Sequence, residues 1–434
     1  MRFKFLVSCV LFFACAQGQD SAFTMKQALD LALKQNLDIQ LAQSDLEIAT
    51  INNNWGNAGA LPTIVGNLGN SEARTNINQK LANGSSIERN NVANSSINAN
   101  VGVSWRIFNG MRIRATKSRF EIMEKMGELA LQQQIDEVIL NVKNVYYNIV
   151  RLNKQINATK AIIELSRERL KIAETRFNVG SGAKTDMLQA GIDLNAQLVN
   201  LSRILNQVNN TKANMNALLK RNAGDPFHTV DSEFSIPTVN LNNLIAKLDS
   251  QNNLLQLSAQ QKNSLQQEKK IINSQRLPSV TLNTNTVLNR SKSTAGFFLT
   301  NQTFGPNIGL AVGIPIFNGN INKTQLKVND VQMKQQDLQK DNLKTGLQRD
   351  LLIAYQNYIN AKETSKIEEN NVKLAEENNM ISTERFRKLQ SNSIELRQAQ
   401  LSLIEAQDRY IDAQYQAQIA VSTLLFLSGE ISKY

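Results

Sequence analysis

The sequence predicts an α+β membrane protein made by tandem duplication, each copy contributing two strands and one very long helix. Three observations predict it. Short segments recur at a constant offset. Apolar residues repeat about every 3.5 positions across long Pro-free stretches. Two pairs of segments alternate apolar and polar residues. The residue supply narrows the function. The 434-residue chain has a net charge of +11, with 6 Pro, 2 Cys and 1 His. No nucleophile–base pair, phosphate loop or metal-ligand cluster can be assembled from it, which argues against an enzyme and against a cofactor or metal. The single histidine, His228, falls in a linker. Lys and Arg are interspersed with Glu and Asp along helical stretches, the pattern of solvated helix faces and not of a nucleic-acid site.

The N-terminus sets the compartment. Arg2 and Lys4 precede an apolar run, Phe5 to Ala16, which is too short to stay in a bilayer as a helix. Ala16-Gln17-Gly18 then offers small residues for cleavage, so residues 1–18 read as a signal peptide. Both cysteines, Cys9 and Cys15, lie inside it, and the chain that follows needs no disulfide. Acylation of Cys15 is the alternative, which the preceding Phe residues fit poorly. No later segment is an 18-residue apolar run, so any membrane-embedded part must be made of strands.

The repeats define the organisation. Ile107-Phe108-Asn109-Gly110 recurs as Ile316-Phe317-Asn318-Gly319, 209 residues later. The same offset carries Tyr146 to Tyr355, Arg176-Phe177 to Arg385-Phe386, and Gln189-Ala190 to Gln398-Ala399. Leu61-Pro62 matches Leu277-Pro278 at an offset of 216, so seven extra residues are expected in a first-copy loop within 75–95. The copies are residues 19–225 and 240–434, joined by a linker at 226–239.

Each copy opens with a helix and continues into strands, at about 61–75 and 95–108, then at about 277–290 and 305–317. Val101, Val103, Trp105 and Ile107 alternate with Gly102, Ser104 and Arg106, and Ile308, Leu310 and Val312 alternate with Gly309, Ala311 and Gly313. Strands of 9 to 14 residues, apolar on one face and polar on the other, read as transmembrane β-barrel segments. Pro315 is tolerable at a strand end. Four strands cannot close a barrel, and an open edge cannot face lipid. Two chains would supply eight strands and three chains twelve.

No Pro occurs between Pro62 and Pro226 or after Pro315, which permits long helices. From Val138 the stripe runs through Val142, Val145, Ile149, Leu152, Ile156, Thr159, Ile163, Ser166, Leu170 and Ala173 to Phe177, a coiled-coil period. The second copy is helix-compatible from Lys323 to Phe386, its stripe blurred by Ser365, Glu368 and Asn379. Each long helix ends in a turn, at about 178–184 and 387–393, before a second helix. Thr185 or Asp186 is the expected cap of the first.

The ordered set of Leu-Pro strand starts, Ile-Phe-Asn-Gly junctions and the Arg176-Phe177-Asn178-Val179-Gly180-Ser181-Gly182 turn, present in duplicate, resembles the TolC-type outer membrane efflux proteins over essentially the whole chain. Ala32-Leu33-Lys34-Gln35-Asn36-Leu37 resembles the family's opening segment, with Leu37 where Pro is usual. The resemblance implies a homotrimer whose twelve-stranded β-barrel sits in outer membrane lipid and continues into an α-helical periplasmic tunnel. It implies as partners a periplasmic adaptor and an inner-membrane pump of RND or ABC type. By position, the adaptor-docking turns become Val179, Gly180 and Ser181 with Leu389, Gln390 and Ser391. The pore constriction becomes Glu395 and Gln398, with Asp186 and Gln189 in the first copy. Phe177 and Phe386 become packing residues beside the turns. Leu389 departs from the family's turn Gly, and Gln398 from its deeper acidic residue, leaving Glu395 as the carboxylate of the second-copy ring. Each position also has a plainer reading: Glu395 as a solvated helix face, Asp186 as a first-turn residue, and the chain as a secreted or periplasmic coiled coil. The alternating strands at matching positions are what that last reading leaves unexplained.

Overall fold

The computed structural model describes residues 21–230, 234, 237–295 and 298–433. The signal peptide, the Cys15 question and part of the linker lie outside the described residues. The chain divides into two units, 1–43, 131–253 and 343–434, and 44–130 and 254–342.

The first unit is helical around a small parallel pair, β1 (Ser21–Phe23) with β4 (Phe227–Thr229). It holds α1 (Met25–Gln35), α4 (Lys184–Leu218), α5 (Leu241–Gln251) and α8 (Ser393–Leu427). It also holds the later parts of the two longest helices, α3 (Arg112–Asn178) and α7 (Ile321–Arg387), which have 67 residues each. Val138, Val142, Tyr146 and Ile149 of α3 bury against Ala28, Ala32, Ile39, Met215 and Phe227. The α3 stripe is buried or half-buried from Val138 to Ala173, and Phe177 leaves it for solvent. The blurred α7 stripe is buried too. Glu368 and Asn379 lie inside, and Glu368 accepts a 2.9 Å bond from Arg409 of α8. That guanidinium, against the opposing effect of burial, holds the Glu368 carboxyl below its ordinary value.

The opening helix of each copy is broken, where one helix was expected. The first copy has α1 and α2 (Leu37–Asn52) on either side of Asn36, and the second has α5 and α6 (Asn253–Ser274) on either side of Asn252. Both asparagines take extended backbone angles. Asn36 Oδ1 accepts from the amides of Asp38 and Ile39, so the side chain that ends one helix caps the next.

The second unit carries one antiparallel sheet in the order β2-β3-β5-β6. The strands are β2 (Thr63–Lys80), β3 (Ser86–Asn109), β5 (Ser279–Ser293) and β6 (Thr300–Gly313). The first two have 18 and 24 residues, longer than the alternation predicts. The extra residues of the first copy extend the hairpin to the pair Lys80–Ser86 instead of forming a long loop. Polar Asn, Ser and Arg carry no period-2 signal, and this extension is exposed on both faces apart from buried Val92 and half-buried Ile77 and Ile87. Ile64, Val103, Thr284 and Ile308 lie in one register row, and Leu282 pairs with Trp105 and Leu310. This apolar face is open: Ile308 is 76% and Leu310 62% exposed. The opposite face is amide-rich, with Asn67 donating to Asn100 and Ser104 to Asn283. Pro306, which lacks an N–H, sits on the outermost strand, and Pro315 falls just past its end.

The Ile-Phe-Asn-Gly repeats are sharp strand-to-helix turns. Gly110 and Met111 both have positive φ, as do Gly319 and Asn320. A Cβ on Gly110 would meet the Ser274 carbonyl at 2.6 Å, so Gly is required there.

Candidate constriction and docking turns

The two turns that end α3 and α7 are built alike. At the first, Gly180 has φ +75° and the Ser181 amide donates 2.8 Å to the Arg176 carbonyl, six residues spanned as in a left-handed helix stop. A Cβ on Gly182 would meet Arg176 Cβ at 2.9 Å. At the second, the Gln390 amide donates 2.9 Å to the Arg385 carbonyl, and the left-handed residue is Leu389, φ +62°. Val179, Gly180, Ser181, Leu389 and Gln390 are exposed, and Ser391 is half-exposed. They therefore present side chains and backbone to solvent.

The caps differ from expectation. Ala183, not Thr185 or Asp186, precedes α4, and its methyl cannot accept a bond from the first turn. Asp186 lies in that first turn and accepts 2.9 Å from Ser393 Oγ of α8. At α8, Asn392 is the cap and accepts from the Glu395 amide at 2.9 Å.

The residues assigned to the constriction do not share one surface. Asp186, Gln189 and Phe386 line a tightly packed cleft with Arg169, Ser393 and Arg397. Glu395 stands outside it and forms an ion pair with Arg385 at 2.5 Å. Gln398 is exposed. The two phenylalanines also separate. Phe386 is 1% exposed with the Arg176 guanidinium 4.6 Å above its ring, a cation–π contact. Phe177 is 37% exposed.

The hub of the cleft is a residue that the sequence reading passed over. Asp193 of α4 accepts from Arg169 of α3, from Arg397 of α8 at 3.0 Å, and from Gln189 at 2.9 Å. Arg169 is buried and also donates to Gln400 at 3.1 Å. Burial alone would raise the Asp193 carboxyl. The bonds from Arg169, Gln189 and Arg397 outweigh it and hold the group below its ordinary value. One signal was available. Asp186, Gln189 and Asp193 follow 3,4 spacing on one face of α4, and Arg169 lies beside the α3 stripe, three residues after Ser166 and four before Ala173.

A family model described as outer membrane efflux protein matches residues 28–220 and 244–430, one segment in each copy. The chain belongs to the outer membrane efflux protein family. The family is one of channel and transport proteins, and membership places the chain in the outer membrane. Among solved structures, the outer membrane protein VceC from Vibrio cholerae matches with a TM-score of 0.75 at 15% identity, over 93% of this chain and 96% of that one. The Campylobacter jejuni CmeC outer membrane channel matches with a TM-score of 0.77 at 18% identity, over 94% and 86%. The open state of the Neisseria gonorrhoeae MtrE outer membrane channel matches with a TM-score of 0.71 at 14% identity, over 94% and 89%. Curated proteins give no match by sequence. Among the described residues no helix is long and apolar enough to cross a membrane.

Proposed function

We propose that this chain is a passive exit duct, energised by an inner-membrane pump of RND or ABC type and coupled to it by a periplasmic adaptor. Three copies assemble as a homotrimer, and their sheets join into a twelve-stranded barrel in outer membrane lipid. The observation that carries this reading is the sheet itself. Its apolar face is exposed, and β2 and β6 each pair on one side only among the described residues. Such edges and such a face are stable in lipid only if further chains close the ring. Exposed apolar residues along α7, among them Val331, Leu338 and Leu374, supply surface for the same assembly.

In this reading the turns at Val179–Ser181 and Leu389–Ser391 dock the adaptor. Glu395 and Gln398 form the constriction, backed by Asp186 and Gln189 in the adjoining cleft, with Arg385 offsetting the Glu395 charge from within the same chain. The test uses the absence of Cys after Cys15. A single Cys placed at Gly180 or Leu389 is crosslinked in living cells, and the captured protein is identified by mass spectrometry. Capture of a periplasmic adaptor is expected. Capture of neighbouring subunits by control sites on the same helices, with none at the turns, would overturn the docking assignment.

A further inference from the structure

The polar face of the sheet ends in a basic cavity of about 460 Å³. Arg106, Asn109, Ser279, Thr281 and Gly313 line it from the strands, and Arg112 from the start of α3. Register explains the convergence. Arg106 pairs with Thr281, Asn109 with Ser279, and Ser279 with Gly313, so all lie on the amide-rich side. The left-handed step at Gly110–Met111 turns the chain back and brings Arg112 to the same rim. Gly313 keeps the floor open, since a Cβ there would meet Ser279 Oγ at 3.2 Å.

The charge is one-sided. No lining residue is acidic. Farther along the helices of this unit, Arg119 pairs with Glu268 and Lys269 with Asp330. Among the described residues, Arg106 and Arg112 have no such carboxylate. Two unpaired guanidiniums beside the Ser279 and Thr281 hydroxyls supply donors that match carboxylate or phosphate oxygens, with no lining carboxylate to favour a cation.

We infer that this cavity is an anion site on the channel wall, taking the carboxylate or phosphate group of an anionic solute in transit. The transit role rests on the duct reading above; the binding site does not. In a trimer the site recurs three times where the strands give way to helices. It forms a basic collar that raises the local anion concentration and biases conduction toward anions. The two guanidiniums are exposed, so binding is screened by salt and strongest at low ionic strength.

Two measurements separate the site from its role. Detergent-solubilised full-length protein is titrated calorimetrically at low salt with inorganic pyrophosphate and, separately, with citrate. Binding of both indicates a general anion site, and binding of pyrophosphate alone a phosphate site. R106Q/R112Q is expected to weaken binding at least tenfold while keeping the heat-stable oligomer, and R106Q alone, if the double variant does not assemble, about threefold. No binding by the wild type, or equal binding by the variants, overturns the site. Planar-bilayer reversal potentials in a potassium chloride gradient then test the role. Anion preference that falls in the variant supports the collar, and conduction with unchanged preference overturns it. A wild type that does not conduct at all counts against the duct reading, leaving the calorimetry to decide the site.

Discussion

Asn36 and Asn252 make the same hydrogen bond in the two copies of the chain. Asn36 Nδ2 donates 2.9 Å to the Leu218 carbonyl, and Asn252 Nδ2 donates 3.0 Å to the Leu427 carbonyl. Both amides are buried, and both acceptors stand at a helix end where intrahelical partners have run out. Removing the donor leaves a buried carbonyl unsatisfied. Asn36→Ala and Asn252→Ala should each cost about 1–3 kcal/mol. The readout is the temperature at which the oligomer dissociates and unfolds. Asn36→Asp keeps an acceptor for the Asp38 and Ile39 amides but loses the donor to Leu218, so it should recover only part of the loss.

The second copy stops its long helix with the wrong residue for the job. Leu389 holds the left-handed conformation that Gly180 holds in the first copy, and its side chain is exposed. A Cβ in this region costs about 1–2 kcal/mol. Leu389→Gly should stabilise by up to about 1 kcal/mol, the strain relieved less the flexibility gained by the unfolded chain. Gly180→Ala should destabilise by about 1 kcal/mol. Paired denaturant unfolding curves on the two variants check both signs.

Asp193 and Arg169 give the structure an acid-sensitive joint. The folded carboxyl is held below its ordinary value of about 4. It therefore contributes stability above that unfolded value and loses it as pH falls through the lower folded value. Acid unfolding should steepen below about pH 4 in the wild type, and Asp193→Asn should remove that component. At neutral pH the same variant leaves Arg169 buried without its carboxylate and should cost about 3 kcal/mol. Asp193→Asn together with Arg169→Met removes both charges and should recover most of the loss. Unfolding midpoints measured from pH 3 to pH 7 test the set.

Some of this was legible in the residues and some was not, for physical reasons. The junction turns were legible because Ile-Phe-Asn-Gly repeats and Gly110 has no room for a Cβ. The α3 stripe was legible because Val138 to Ala173 obey a period that packing enforces. The α7 stripe looked broken because Glu368 finds its partner in Arg409, 41 residues away in another helix. Asp193 was missed for the same reason, since its guanidiniums come 24 residues before it and 204 after it. The β2–β3 extension was invisible because strands exposed over most of both faces need little alternation, and Val92 alone is buried there. The breaks at Asn36 and Asn252 were hidden because each depends on a carbonyl more than 170 residues distant.

Arg385 and Glu395 form an ion pair beside the second turn. Their ion pair leaves little net field at that position while it is closed. Both side chains are more than a third exposed, so its contribution to stability is small. Arg385→Ala should free the carboxylate and move bilayer selectivity toward cations. Glu395→Ala should free the guanidinium and weaken any cation preference, with the oligomer unchanged. Reversal potentials that do not move in either variant would remove Glu395 from the pore.

Neighbouring residues of β6 offer the sharpest test of the lipid face. Asn307 and Ile308 are adjacent in sequence and point to opposite sides of the sheet: Asn307 pairs with Asn285 on the amide-rich face, and Ile308 with Thr284 on the apolar face. A cationic side chain at the bilayer midplane of a barrel costs about 2–4 kcal/mol, whereas a lumen-facing one meets water. Ile308→Arg should therefore cut recovery of the assembled oligomer from the outer membrane severalfold, and Asn307→Arg should leave it near the wild-type level. The two changes share charge, size and strand, so only the face differs. Equal losses in both would mean that the strand, not its orientation to lipid, is what the substitutions disturb.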